Sequence, residues 1–120
     1  MTKQDDHDSM INMEIMHSVF GQNRLAMRDY INDFTVSSAE LLKQIEQAIQ
    51  NNNKKLAMDY LHQLKGPAGS SGFHKIYLLC EKAEKQIEKS DWHSVNKLYC
   101  EIDKALQKIQ SELEKEFRNR

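Results

Sequence analysis

Residues that break helices are confined almost entirely to one place in this chain. Its only proline and three of its four glycines fall between Gly66 and Gly72, inside the stretch LHQLKGPAGSSGF that runs from Leu61 to Phe73. Apart from Gly21, the rest is free of both residue types, and no run of strand-like alternation is present. The fold class that follows is all-α. At 120 residues the chain is long enough for one core without a metal or disulfide staple.

Apolar residues at helical spacing divide the chain further. Residues 1–8 are polar and acidic and are expected to form a flexible N-terminus, followed by a single domain over 9–120. A short helix is expected from Ser9 to Phe20, carrying Ile11, Ile15, Met16 and Val19 and stopping at Gly21. A second runs from Asn23 to Val36 with Met27, Tyr30, Ile31 and Phe34 on one face. Ser37 and Glu40 have capping-box spacing and predict a new helix whose stripe is Leu41, Leu42, Ile45, Ala48 and Ile49. Asn51, Asn52 and Asn53 end it. The fourth helix buries Ala57, Leu61, Leu64 and Ala68, and Gly72 punctuates it. The fifth uses Ile76, Leu79, Cys80, Ala83 and Ile87. Ser90 and Asp91 cap the last, which buries Val95, Leu98, Ile102, Leu106, Ile109, Leu113 and Phe117. These last positions drift at about 3.6 residues per turn, which suits a bundle helix better than a coiled coil. The expected architecture is an antiparallel four-helix bundle with additional short N-terminal helices, six in all.

Charge and composition exclude several functions. Seventeen basic residues balance eighteen acidic ones, for a net charge of −1, which argues against a nucleic-acid binder driven by counterion release. No apolar run approaches the roughly 18–20 residues of a membrane span, and MTKQDDHDS lacks the apolar centre of a signal peptide. The expected location is therefore cytoplasmic. Cys80 and Cys100 have no CxxC spacing and sit at apolar helical positions, so both are expected to be reduced core residues. The histidines make no i, i+4 pairing with each other or with cysteines, so no metal site is expected.

On a wheel of the fourth helix, Leu61 and Leu64 point inward and His62 lies about 100° round from Leu61. Its neighbours at i+3, i+4 and i+7 are Lys65, Gly66 and Gly69, and Met58 sits one turn earlier. A histidine alone is more often an ordinary surface residue, with glycines merely ending its helix. Gly66, however, lies too early to be the terminator, because Ala68 still continues the apolar stripe. Each glycine in an exposed helix costs about 1 kcal/mol relative to alanine. A bare flank beside an imidazole lets a partner protein reach the ring, and Lys65 places a positive charge where a phosphoryl or carboxylate group would sit. Met58 offers an adaptable apolar contact on the same side.

The residues HQLKGPAGSSG, His62 to Gly72, resemble the signature H-x-L-K-G-x-A-x-x-x-G of histidine-containing phosphotransfer (HPt) domains. His62, Leu64, Lys65, Gly66, Ala68 and Gly72 match it, and about residues 15–110 can be laid on the family pattern. The resemblance implies an HPt four-helix bundle that relays phosphoryl groups between receiver-domain aspartates in a two-component phosphorelay. It implies that His62 is the phosphoacceptor, that Lys65 neutralises the phosphate, and that Gly66 leaves room for the receiver. Glu84 falls where the family often has a polar side chain that touches the histidine ring; an exposed helical glutamate is the other reading of that position. The implied partners are a response-regulator receiver domain and a hybrid sensor histidine kinase. The receiver would bring the Mg²⁺, and the chain would need no cofactor of its own.

Pro67 departs from the family, which usually has a small residue there. A proline inside a helix removes one hydrogen bond and crowds the carbonyl four residues back, here that of Gln63. A kink or break just past His62 is expected. Of the remaining residues, Trp92 is expected to staple the last turn, Phe73 to be either a docking contact or core, and His74 to lie near the site.

An autokinase is a poor match, since Gln63 rather than an acid follows His62 and no nucleotide-binding motif is present. The expected protein is thus a phosphotransfer intermediate and not an ATP-dependent enzyme. The rival is a helical adaptor that binds a receiver or kinase and transfers nothing; the joint presence of His62 and Lys65 argues for transfer. Met1 and the polar ends lean toward a free-standing protein, and the charged outer faces of the last two helices predict a monomer.

Overall fold

A computed structural model describes residues 10–117. Within them lie five helices: α1 (Met13–Phe20), α2 (Arg24–Gln50), α3 (Lys54–Ser70), α4 (His74–Glu88) and α5 (Trp92–Phe117). The expected flexible stretch 1–8 lies outside the described residues, as does Ser9; the helix expected from Ser9 opens only at Met13, because Asn12 caps it and residues 10–12 are not helical.

Side-chain caps set most of the boundaries. Asn12, Asn23 and Asn53 each accept a hydrogen bond from the backbone N–H three residues on, at 3.2, 3.0 and 3.1 Å, and so open α1, α2 and α3. Asp91 does the same for Ser94 at 3.1 Å at the head of α5. Its carboxyl is held below the ordinary range, chiefly by the bond from the Ser94 hydroxyl. Asn52 and Ser90 adopt positive φ of 50° and 59°, which reverses the chain at the α2–α3 and α4–α5 turns.

The expected second and third helices are one. α2 is 27 residues long and passes straight through Ser37 and Glu40, which are exposed in mid-helix and form no capping box. The apolar stripe explains the continuity. Ile31, Phe34, Leu42, Ile45 and Ile49 follow a single face across the supposed boundary, with Thr35 and Ser38 buried on it. Thr35 satisfies its hydroxyl by donating to the Asn32 carbonyl at 2.8 Å, which lets a polar residue sit on the core side of a helix. Five helices, not six, therefore make up the described residues.

α2 to α5 form the bundle: α3 packs on α2 and α4, and α5 packs on α2 and α4. The core includes Ile31, Ile45, Leu61, Leu64, Ile76 and Ile109, each at most 1% exposed. α1 packs on α2 and covers one end of the bundle. There the backbone N–H groups of Met10 and Ile11 donate to the Glu112 carboxylate of α5. Not every expected stripe position is core: Val19 is 62% exposed and Cys100 is exposed, while Ile15, Tyr30, Leu41 and Leu98 are only half-buried. Cys80 is fully buried, and burial pushes its thiol up to about 12. Trp92 is half-buried against the core at the start of α5.

The α3–α4 turn is clamped from α2. Phe73 stacks on Phe34 with ring centroids 4.3 Å apart, and the Tyr30 and Ser71 hydroxyls are hydrogen-bonded. Phe73 is 1% exposed, so it is core and not a docking contact.

Candidate functional site

α3 buries Ala57, Leu61, Leu64 and Ala68 and turns His62 outward, with 70% of its side chain exposed. The ring is nevertheless anchored. Its Nδ1 lies 2.9 Å from Oε2 of Glu84 on α4, and the other carboxylate oxygen, Oε1, accepts from Lys65 Nζ at 2.8 Å. Glu84 has only 11% of its side chain exposed, and Lys65 18%. The reading of Glu84 as an exposed helical glutamate is thus incorrect. Tight α3–α4 packing sinks its stem and aims the carboxylate back at α3. One buried carboxylate holds both a solvent-facing imidazole and an ammonium. The hydrogen bond to Glu84 raises the Lys65 pKa above its ordinary value, while partial burial opposes the shift.

Each glycine of the motif answers to something different. At Gly66 a β-carbon would meet nothing within 4 Å, so the fold does not require glycine there and the flank stands open. At Gly69 a β-carbon would come within 2.8 Å of the Tyr77 ring, so this glycine serves contact between α3 and α4 inside the protein. Gly72 adopts φ +87° in the turn and lies against Asn12 and Ile15 of the N-terminal segment, where a β-carbon would be 3.1 Å from the former. Met58 is half-buried against the core rather than fully exposed.

Tyr77 and Glu81 complete the cluster. The Tyr77 ring faces the Lys65 ammonium at 5.8 Å, its hydroxyl donates to Glu81 at 3.1 Å, and His74 stacks on it at 6.1 Å. The bond to Glu81 raises the Tyr77 pKa. Sequence reasoning passed over both residues. Their one sign is spacing, since Tyr77, Glu81 and Glu84 recur on a single strip of α4.

Pro67 does not break α3, which continues to Ser70, so of the expected kink or break past His62 the break is absent. Pro67 and Gln63 both lie on the exposed side, so the carbonyl that loses its helical donor faces water instead of the core. Past the proline, Ser71 N–H still donates to the Pro67 carbonyl at 3.1 Å.

His17, His74 and His93 are exposed and dispersed, and no group of three metal-ligating side chains occurs among the described residues. No helix among them is long and apolar enough to cross a membrane. A surface cleft of about 410 Å³ lies away from this cluster, between α2 and α5, and is lined by Arg28, Asn32, Leu113 and Phe117 among others. A comparison with curated proteins and one with solved structures returned no match. The family model of the Hpt domain, by contrast, matches residues 29–114, a span that runs from the second turn of α2 through α3 and α4 deep into α5. With an exposed histidine, a lysine one turn on and a helical bundle behind them, that match makes this chain a member of the Hpt domain family, whose work is histidine phosphotransfer in phosphorelays.

Proposed function

We propose that this chain relays a phosphoryl group between receiver-domain aspartates, with His62 as the phosphoacceptor. The observation that carries the reading is the anchoring of an otherwise exposed imidazole through Nδ1 to a buried carboxylate. A carboxylate accepts and does not donate, so in the neutral ring Nδ1 carries the proton and the lone pair is on Nε2, the nitrogen not bonded to Glu84. Nε2 attacks the phosphorus of the aspartyl phosphate in line. The Nε2–P bond forms as the P–O bond to the aspartate breaks, and the aspartate leaves as a carboxylate. No proton has to be removed from the nucleophile.

The phosphoimidazolium that results keeps its Nδ1–H on Glu84, whose negative charge offsets the positive charge of the ring. Lys65, on the same side of α3, supplies a cation to the phosphoryl oxygens. The receiver brings the aspartate and the Mg²⁺. Gly66 leaves the approach open, and Met58 borders it. The rest of the chemistry is positioning and charge neutralisation, which suits a site with so few polar groups. Transfer to the next aspartate is the same step reversed.

The test uses a phosphorylated receiver, or a hybrid kinase with labelled ATP, offered to wild type and to His62→Gln. Acid-labile label on wild type that is absent from the variant is the expected result. Equal labelling of the two, or none with any competent donor, would leave a bundle that binds its partner and transfers nothing.

A further inference from the structure

On α4 the charges are sorted by face. Glu81 and Glu84 belong to the strip against α3, where they are engaged by Tyr77, Lys65 and His62. At 100° per residue the next strip round holds Lys75, Leu78, Lys82 and Lys85, with Lys89 just past the helix end. All five are exposed, Leu78 to 42%. None of the four lysines forms an ion pair among the described residues. A helix face that needed only solubility would interleave its charges at i, i+4 spacing so that neighbours pair. Here Glu81, four residues before Lys85, is bonded to Tyr77 instead.

General basicity does not explain the strip, because the chain as a whole carries −1. α2 makes no packing contact with α4, and its exposed Asp29, Asp33, Glu40 and Glu46 are offset by Lys43 and by the partly exposed Arg24 and Arg28, the latter paired with Asp29. The positive strip of α4 stands beside the site. Leu78 follows Tyr77 and Lys85 follows Glu84, so both stand one position round α4 from the residues that touch α3.

We infer that this lysine strip, with Leu78 within it, is a docking rim for a receiver domain whose facing surface is acidic and offers an apolar socket. The inference rests on the relay reading of His62. Leu78 is less exposed than Val19, Leu25 or Val36, but it alone of these lies within a basic strip, where it adds an apolar contact to the lysines. The strip also lacks arginine, the side chain whose planar fork best grips phosphate. Long-range attraction between such surfaces raises the encounter rate and is screened by salt.

The experiment measures transfer from a phosphorylated acidic-faced receiver to the full chain at about 0.1 M and about 1 M salt, over which the screening length contracts from ~10 Å to ~3 Å. For wild type, kcat/KM should fall about tenfold. Lys82→Glu combined with Lys85→Glu should lose at least about tenfold at low salt and become nearly indifferent to salt, with the first-order rate at saturation unchanged. Leu78→Ala should raise KM a few-fold without altering the salt slope. Lys104→Glu with Lys108→Glu on α5 is the charge-matched control, and circular dichroism checks that every variant is folded. Equal behaviour of the α4 and α5 double variants would overturn the inference, as would wild-type kinetics of the α4 variant at every salt concentration. So would binding of DNA or anionic vesicles that depends on the strip while receiver kinetics do not. If His62→Gln loses transfer and the α4 variants lose nothing, the docking rim alone falls. If His62→Gln still carries label, the relay reading falls with it.

Discussion

The α3–α4 face and the α2–α5 face are built from the same kind of helix, yet they differ in shape and in chemistry. The second is concave, a cleft of about 410 Å³ whose polar lining includes Arg28, Asp29 and Gln110. The first presents an exposed histidine and a flank without a side chain at Gly66. An enzyme for a small molecule would be sought in the cleft. A group that reacts with another protein's active site needs the opposite shape, because the partner supplies the enclosure. The most informative polar group on the α3–α4 face is therefore the buried Glu84, which lies beneath His62.

Glu84→Gln should have the largest effect after loss of the histidine itself. It takes the carboxylate charge out of the hydrogen bonds to both His62 and Lys65, bonds to charged groups being worth roughly 1.5–3 kcal/mol each, and frees the ring to turn. Transfer to His62 should fall about tenfold or more. The nitrogen resonances of the imidazole should show a mixture of tautomers where wild type shows one. A fixed tautomer in the variant would remove Glu84 from the mechanism.

The glycines of the α3–α4 face differ among themselves. Gly69→Ala drives a methyl into Tyr77 and should cost about 1–3 kcal/mol in denaturant unfolding, as overpacked sites do. Gly66→Ala meets nothing and should stabilise α3 by up to about 1 kcal/mol, while slowing transfer by crowding the approach to His62. A Gly66 variant both more stable and fully active would show that the open flank is not used.

The two thiols report on burial. Cys100 should react with a thiol reagent in the native protein and Cys80 only after unfolding. Because Cys80 stays protonated to about 12 when folded, while an unfolded thiol ionises from about 8.5, its contribution to stability is whole below that pH and is lost as pH rises toward 12. Melting temperatures of Cys80→Ala should accordingly decline less steeply above pH 8.5 than those of wild type. The smallest effects belong to the cleft. Asn32→Ala or Gln110→Ala should change stability by no more than about 0.5 kcal/mol and leave transfer unaltered. Slower transfer in either would place function on the concave face as well.

Much of this was readable in the residues alone. The apolar stripes fall on the faces that are buried, and the asparagines at 23 and 53 mark two true helix starts. The false boundary at Ser37 arose because a capping box and an exposed serine in mid-helix with a glutamate three residues on are alike in sequence, and only the continuity of the Ile31–Ile49 stripe tells them apart. Cys100 was misplaced because a small side chain tolerates either face of a helix. At the site, the order of His62, Lys65 and Gly66 was legible, since it lies within one helix. The reason for Gly69 was not, because Tyr77 sits on another helix. Nor could spacing show that Glu84 is sunk deep enough to hold two partners at once. The proline drew an expected break because the local rule counts a lost hydrogen bond, whereas the outcome depends on which side of the helix the orphaned carbonyl faces.

The shared carboxylate under His62 has a consequence for how long a message lasts. Lys65 already has an anionic companion before any phosphate comes, so an arriving group must compete for it and is never fully neutralised. On the relay reading, phosphohistidine here stays high in energy, and the next aspartate can take over its cargo without a steep climb. A carrier built this way is tuned for passing on rather than for storage.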